Sequence, residues 1–231
     1  MTPVERREFQ TALGTVVLSG EFDGDRPLVI LIRSAYAEES MFLQLANVMP
    51  EARILIGDIP GNRCPLLTSQ TVRDYCAAYA EALRRIAGPK VICGLSLGGV
   101  IALGLRDCGM TGILAVDPPL RPANSAVLQK IMRAAEAKTT SDVDREFLRS
   151  VFLSGEDYFQ LLHDLDCPTK ILAGDHARSI PSVISDADLA EASKYSCVST
   201  CREPGVGHSV WVGGSPAILE CLRELMAYER R

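Results

Sequence analysis

Short, continuously apolar runs that alternate with helix-period segments constrain the fold of this chain more than any other feature. Residues 27–32, 53–58, 90–93, 112–116, 168–174 and 196–201 are brief and rich in β-branched side chains, the pattern of strands buried on both faces of a parallel sheet. Between them, Met41, Phe42, Leu45 and Val48 recur at helical spacing. Val72, Tyr75, Cys76, Tyr79, Leu83 and Ile86 form a second stripe, on a helix that Ser69 can cap and that runs to about residue 87, where Gly88-Pro89 stops it. A third helix is expected over 97–107, and Ser215-Pro216 opens a last one carrying Ile218, Leu219, Leu222, Leu225 and Met226. Strands joined through helices need crossover connections, so the expected fold class is α/β: a mostly parallel sheet flanked by helices on both faces. Residues 12–22 read as an opening hairpin or edge strand.

The alternation breaks between residues 120 and 165. Residues 122–138, 141–152 and 156–165 all read as helical, with Ser141 and Asp144 in capping-box spacing and no strand between them, so a helical cap inserted into one domain is expected. At 231 residues the chain suits a single well-buried domain. Its net charge of −5 argues against a nucleic-acid or anionic-membrane partner and for a small molecule. No run approaches a membrane span, and the first residues lack the apolar core of a signal peptide, so a cytoplasmic location is expected. The 8 cysteines show neither a Cys-x-x-Cys pair nor zinc spacing, and they read as reduced thiols. Cys197 and Cys201 would lie about 13 Å apart along a strand at ~3.3 Å per residue, too far to bridge. No disulfide, metal or organic cofactor is expected.

The run at 91–93 enters Gly94-Leu95-Ser96-Leu97-Gly98, and a helix follows. A serine at the tip of such a strand-to-helix turn is held up from the sheet edge, and the flanking glycines let neighbouring chain pass closely. Ser96 is the candidate nucleophile. The first N–H groups of the helix, beginning with Leu97, point where an oxyanion would form. In a chain with 18 glycines the pentapeptide alone is a weak signal; its place between strand and helix gives it weight.

Four features together resemble the α/β-hydrolase superfamily over nearly the whole chain. They are the Gly94-to-Gly98 turn, Asp58-Ile59-Pro60-Gly61 after the preceding strand, Cys167-Pro168-Thr169-Lys170-Ile171-Leu172-Ala173-Gly174 entering a late strand, and Gly207-His208 after the last one. The resemblance implies about eight strands, a serine nucleophile, a histidine base at His208, and chain order serine, acid, histidine. It also implies a second oxyanion N–H from the loop after the early strand, which falls on Ala35; Arg33, Ser34 and Tyr36 of that loop are the candidate substrate contacts.

Two positions depart from the family pattern. Arg33-Ser34 stands where relatives commonly carry His-Gly, and Ala177 stands where the acid is usual, three residues beyond Gly174. Asp117, followed by proline at the tip of the strand after the serine helix, occupies a place that some lipases of the superfamily use for the acid. Asp175 is the alternative, although only one residue separates it from the strand end. His163 and His176 read as solvated cap and loop residues, and Val127, Ile131 and Phe147 as cap packing. The expected activity is hydrolysis of a small-molecule ester, thioester or lactone through an acyl-enzyme. A lyase, isomerase or cyclase on the same fold, and a catalytically silent binding protein, are the other readings.

Overall fold

The computed structural model describes residues 5–34, 44, 47–61, 64–138, 142–176, 180–208 and 215–228, with the backbone alone for 142–144. Eight strands form one sheet: β1 (Glu5–Thr11), β2 (Gly14–Gly20), β3 (Leu28–Ile32), β4 (Arg53–Gly57), β5 (Lys90–Leu95), β6 (Met110–Val116), β7 (Thr169–Ala173) and β8 (Val198–Arg202). Their spatial order is β1-β2-β4-β3-β5-β6-β7-β8. β1 and β2 form a hairpin, β2 pairs antiparallel with β4, and every later pairing is parallel. The expected sheet is therefore present, with β1 as an addition. Its sequence ERREFQT alternates between exposed and half-buried positions, so the strand has no apolar run to betray it, and its charges suit an edge.

From β3 the chain moves outward to β4 and then returns to β5 on the other side of β3, which makes the carboxyl ends of β3 and β5 the switch point of the sheet. Ligands of open α/β sheets bind at such points. Both strands are buried along their whole length, and each large apolar side chain removed from water there contributes roughly 1.5–3 kcal/mol.

Helix α1 (Val72–Leu83) and α2 (Leu97–Gly104) cover one face, where Tyr75, Tyr79, Val100 and Ile101 pack on Ile30, Ile92 and Ile113. Thr71, not Ser69, is the N-cap of α1: its hydroxyl accepts from Asp74 N–H while the Asp74 carboxylate accepts from the Thr71 backbone. Ser69 adds a hydroxyl bond to the same carboxylate at 2.7 Å. Helix α2 stops at Gly104, short of residue 107, because Leu105 is extended and the Arg106 guanidinium takes the carbonyls of Leu103 and Leu105.

Between β6 and β7 lie a 3-10 turn (Pro122–Asn124), α3 (Ala126–Lys138), α4 (Asp142–Leu148), a π-helical turn (Arg149–Leu153) and a 3-10 segment (Tyr158–Leu162). The long helices expected over 122–138 and 156–165 are thus shorter. Ser125 interrupts the first, its hydroxyl accepting from Leu128 N–H. The second starts late because Asp157 accepts from Phe159 N–H and Tyr158 N–H donates to Leu120 O. Helix α5 (Asp186–Ala192), capped by Ser185, precedes β8. Helix α6 (Pro216–Tyr228) lies on the opposite face, where Ile218, Leu222 and Leu225 meet Val91, Leu114 and Leu172.

Of the helix expected around Met41, Phe42 and Leu45, only Gln44, Asn47 and Val48 are described, and they are helical. Ala35, Tyr36, Ser141 and Ala177 lie outside the described residues. Among the described residues no helix is long and apolar enough to cross a membrane, and no cluster of His, Cys, Asp and Glu is arranged to hold a metal.

Candidate active site

The ends of β5 and β6 bring the first two candidate residues side by side. Leu95 and Val116 are register partners, and Ser96 N–H donates to Val116 O at 2.8 Å, so Ser96 and Asp117 leave adjacent strands at the same level. Both are non-glycine residues with positive φ, 54° at Ser96 and 46° at Asp117. Such conformations cost roughly 1–3 kcal/mol each and persist where the surroundings over-determine them. At Ser96 the surroundings are glycines. A Cβ on Gly94 would stand 2.0 Å from Gly98 O, and one on Gly98 would stand 2.2 Å from Ile32 O. The turn therefore closes only because both positions lack a side chain, and the closure seats the start of α2 against the end of β3. Leu97, buried at the first position of α2, has an N–H outside the intrahelical ladder.

Asp117 is wholly buried and its carboxylate is saturated with donors. Oδ2 faces His208 Nδ1 at 2.5 Å and accepts from Val183 N–H at 3.0 Å, while Oδ1 accepts from the Ser182 hydroxyl at 2.5 Å and from Gly174 N–H at 3.3 Å. Burial pushes the Asp117 carboxyl up. The bond and charge of His208, the Ser182 hydroxyl and the Val183 N–H outweigh it and hold the group below the ordinary carboxylate value. Ser182 and Val183 escaped the sequence reading because their segment between β7 and α5 carries no apolar period. The one signal available there was Ser185 and Asp188 in capping spacing.

His208 reaches Asp117 because two loops pack tightly at the end of β7. A Cβ on Gly174 would lie 2.2 Å from Gly207 O, and His208 N–H donates to Ile180 O at 2.8 Å. Oδ2 of Asp175, the alternative acid, accepts from Gly205 N–H at 2.9 Å, while His208 Nδ1 meets Asp117. His163 lies 3.3 Å from the Tyr195 hydroxyl and His176 3.7 Å from Asp186, both away from the Asp117 cluster.

Arg33, at the end of β3, is buried, and its guanidinium donates to the carboxylate of Asp58 at the end of β4. The candidate cation of this loop thus meets a carboxylate of the chain itself, with Arg6 3.9 Å from the second oxygen. Ser34 is half-buried beside it.

Solved structures share this architecture along nearly the full chain. A naproxen esterase from Bacillus subtilis superposes with a TM-score of 0.72 at 14% identity, over 96% of this chain and 92% of its own. An N-acyl homoserine lactonase, bound to N-hexanoyl homoserine, gives 0.73 at 14% identity over 98% and 97%. The chain has the α/β-hydrolase fold. A thioesterase domain from the curacin biosynthetic pathway gives 0.69 at 14% identity, with 96% of this chain and 100% of that one covered. A scan of the sequence against family models finds no match, and neither does a comparison with curated proteins. Within the α/β-hydrolase fold, the Ser96 turn follows β5, the Asp117 carboxylate follows β6, and His208 follows β8.

Proposed function

We propose that the chain is a serine hydrolase that cleaves a small-molecule ester, thioester or lactone through an acyl-enzyme. The observation that carries this reading is the buried Asp117 carboxylate bonded to His208 Nδ1, next to a serine held in a strained turn on the adjacent strand end. With Nδ1 engaged, His208 keeps Nε2 for proton transfer. His208 takes the Ser96 Oγ proton as the oxygen attacks the substrate carbonyl, and the Leu97 N–H stabilises the resulting oxyanion, with Ala35 N–H as its second donor. Protonated His208 then gives its proton to the leaving group. Water, activated by the same imidazole, releases the acyl group. Asp117 fixes the imidazole tautomer and stabilises the imidazolium. The esterase, lactonase and thioesterase neighbours support acyl transfer as the reaction class.

Residues 120–165 serve in this reading as a cap over the acyl pocket. Arg121 supports that role: it stacks over the Phe159 ring at 3.9 Å and bonds Asp157, Asp188 and Glu191, tying the segment to α5. Eight free thiols suit a reducing compartment and hence a cytoplasmic enzyme.

A fluorophosphonate, followed by intact-mass measurement beside a panel of short and long acyl esters and thioesters, tests the proposal. One adduct on Ser96, absent in Ser96→Ala together with hydrolysis, is the expected result. A folded wild-type protein that binds acyl ligands yet stays unlabelled would instead be a binding protein.

A further inference from the structure

Away from the Asp117 cluster, the opposite face of the sheet brings two thiols together that sequence spacing keeps apart. Cys201 on β8 is the register partner of Leu172 on β7, and residues paired in this way present their side chains to the same face. Leu172 packs in the cluster that contains Cys221, Leu222 and Ile218 of α6, so Cys201 faces that helix. That face sets Cys201 opposite Cys221, and each thiol is the largest influence on the titration of the other.

The contact is clamped on both sides. Lys170, two residues before Leu172 and on the same strand face, donates to Glu224, which lies one turn beyond Cys221 on α6. At the other end Ser215, immediately before α6, donates to Glu203 Oε2 at 2.6 Å, just past the end of β8. Cys201 is exposed, whereas Cys221 is buried behind it.

We propose that Cys201 and Cys221 are a redox-active dithiol that hydrogen peroxide converts to a disulfide, stapling β8 to α6 and closing the loop that bears His208. The Cys201 sulfur attacks peroxide: an S–O bond forms, the O–O bond breaks, and the departing hydroxide takes the thiol proton and leaves as water. The Cys221 sulfur then attacks the sulfenic sulfur. An S–S bond forms, the S–O bond breaks, and hydroxide departs with the Cys221 proton as a second water. Two thiols lose two electrons in total, and one peroxide gains them.

The exposed partner is the better nucleophile. The Cys221 thiol, with Lys170 acting in the same direction, holds the Cys201 thiol below its ordinary value against burial and the charges of Glu203 and Glu224. Burial does the opposite at Cys64 and Cys76, pushed up to about 12, and at Cys167, pushed up to about 11.

The reduced full chain is treated with hydrogen peroxide and its mass read without reductant. A loss of about 2 Da, reversed by dithiothreitol, is expected, with one peptide containing Cys201 linked to one containing Cys221. Cys201→Ser abolishes the loss. Cys221→Ser abolishes it too and leaves Cys201 as a sulfenic acid that dimedone traps. Closing a loop of about 20 residues raises the melting temperature of the oxidised protein by roughly 5–10 °C over the reduced one. A wild-type mass that stays reduced, oxygen added at Cys201 without a crosslink, a crosslink between other cysteines, or an unchanged melting temperature would each overturn the proposal. Fluorophosphonate labelling of Ser96 is read separately, so the dithiol and the hydrolase reading fail independently.

Discussion

Asp117 Oδ2 and His208 Nδ1 lie 2.5 Å apart although 91 residues separate them in the chain. Three packing facts bring them together. β6 delivers Asp117 at positive φ, Gly174 lets Gly207 pass in contact, and Ile180 O anchors the His208 backbone. The carboxylate therefore arrives from the strand next to the Ser96 turn, while the end of β7, where the superfamily resemblance places the acid, contributes Gly174 N–H to hold that same carboxylate.

Replacing Asp117 by Asn removes the charge and presents an amide where His208 needs an acceptor. Loss of a triad acid costs on the order of 10⁴ in kcat, about 5 kcal/mol in the barrier. Asp175→Asn alters the acceptor of Gly205 N–H, away from His208 Nδ1, and should cost less than about 10-fold. Steady-state kinetics on one acyl ester with both variants, with folding checked by circular dichroism, decides the matter. The reverse ranking would move the acid to Asp175.

Acid stability offers a second view of the same carboxylate. Its folded value is depressed, so the stability it contributes is fully present above the ordinary unfolded value of about 3.9 and is lost as pH falls through the lower folded value. The stability gap between wild type and Asp117→Asn should accordingly be constant from about pH 6 to 5 and narrow below about pH 4. Urea unfolding across that range measures it. A gap that stays level down to about pH 3 would mean that the carboxyl is not depressed.

In the proposed reaction Ser182 would act through Asp117. Its hydroxyl is buried and bonded to Oδ1, and a hydrogen bond to a charged group is worth about 1.5–3 kcal/mol. Ser182→Ala should lower kcat about 10-fold with little change in KM and should raise the pH at which the Asp117 contribution to stability is lost. Ser182→Thr, which keeps the hydroxyl, should recover most of both effects. If alanine and threonine lose stability alike while kcat holds, Ser182 only fills space.

The strands of the sheet interior and the Ser96 turn were legible in the sequence because buried parallel strands leave continuous apolar runs and a tight turn leaves glycines. The place of Asp117 at a strand end was legible for the same reason: it follows such a run. β1 was not, because an edge strand exposed to water needs no apolar period, and α5 was not, because seven residues are too few to establish one. Ser182 and Val183 could not be read at all. A serine hydroxyl and a backbone N–H become ligands of a carboxylate only through the path of the loop, and nothing in their identity records that path. The Arg33–Asp58 pair was half legible: the sequence marks Arg33 as a departure, but only the pairing of β3 with β4 shows which carboxylate meets it.

The approach of α2 to β3 gives the strictest test of the Ser96 turn. A Cβ on Gly98 would meet Ile32 O at 2.2 Å and Arg33 O at 2.5 Å; the first belongs to a strand paired on both sides and the second to the backbone just beyond it, so neither can yield as a side chain would. Gly155 provides the control. Its φ is +79°, but a Cβ there would meet nothing within 4 Å, which leaves only the backbone cost of about 1 kcal/mol. At roughly 2–4 °C per kcal/mol for a chain of this size, Gly155→Ala should lower the melting temperature by only a few degrees. Gly98→Ala must push the start of α2 away from β3 and should cost more than about 3 kcal/mol, a fall of at least ~6 °C. The displacement also moves Leu97 N–H from the proposed oxyanion position, so whatever Gly98→Ala protein remains folded should lose kcat by at least 10²-fold, the scale of one lost oxyanion donor. Equal melting temperatures for the two variants would show that the turn has room the geometry denies, and full activity in folded Gly98→Ala would remove Leu97 from the mechanism.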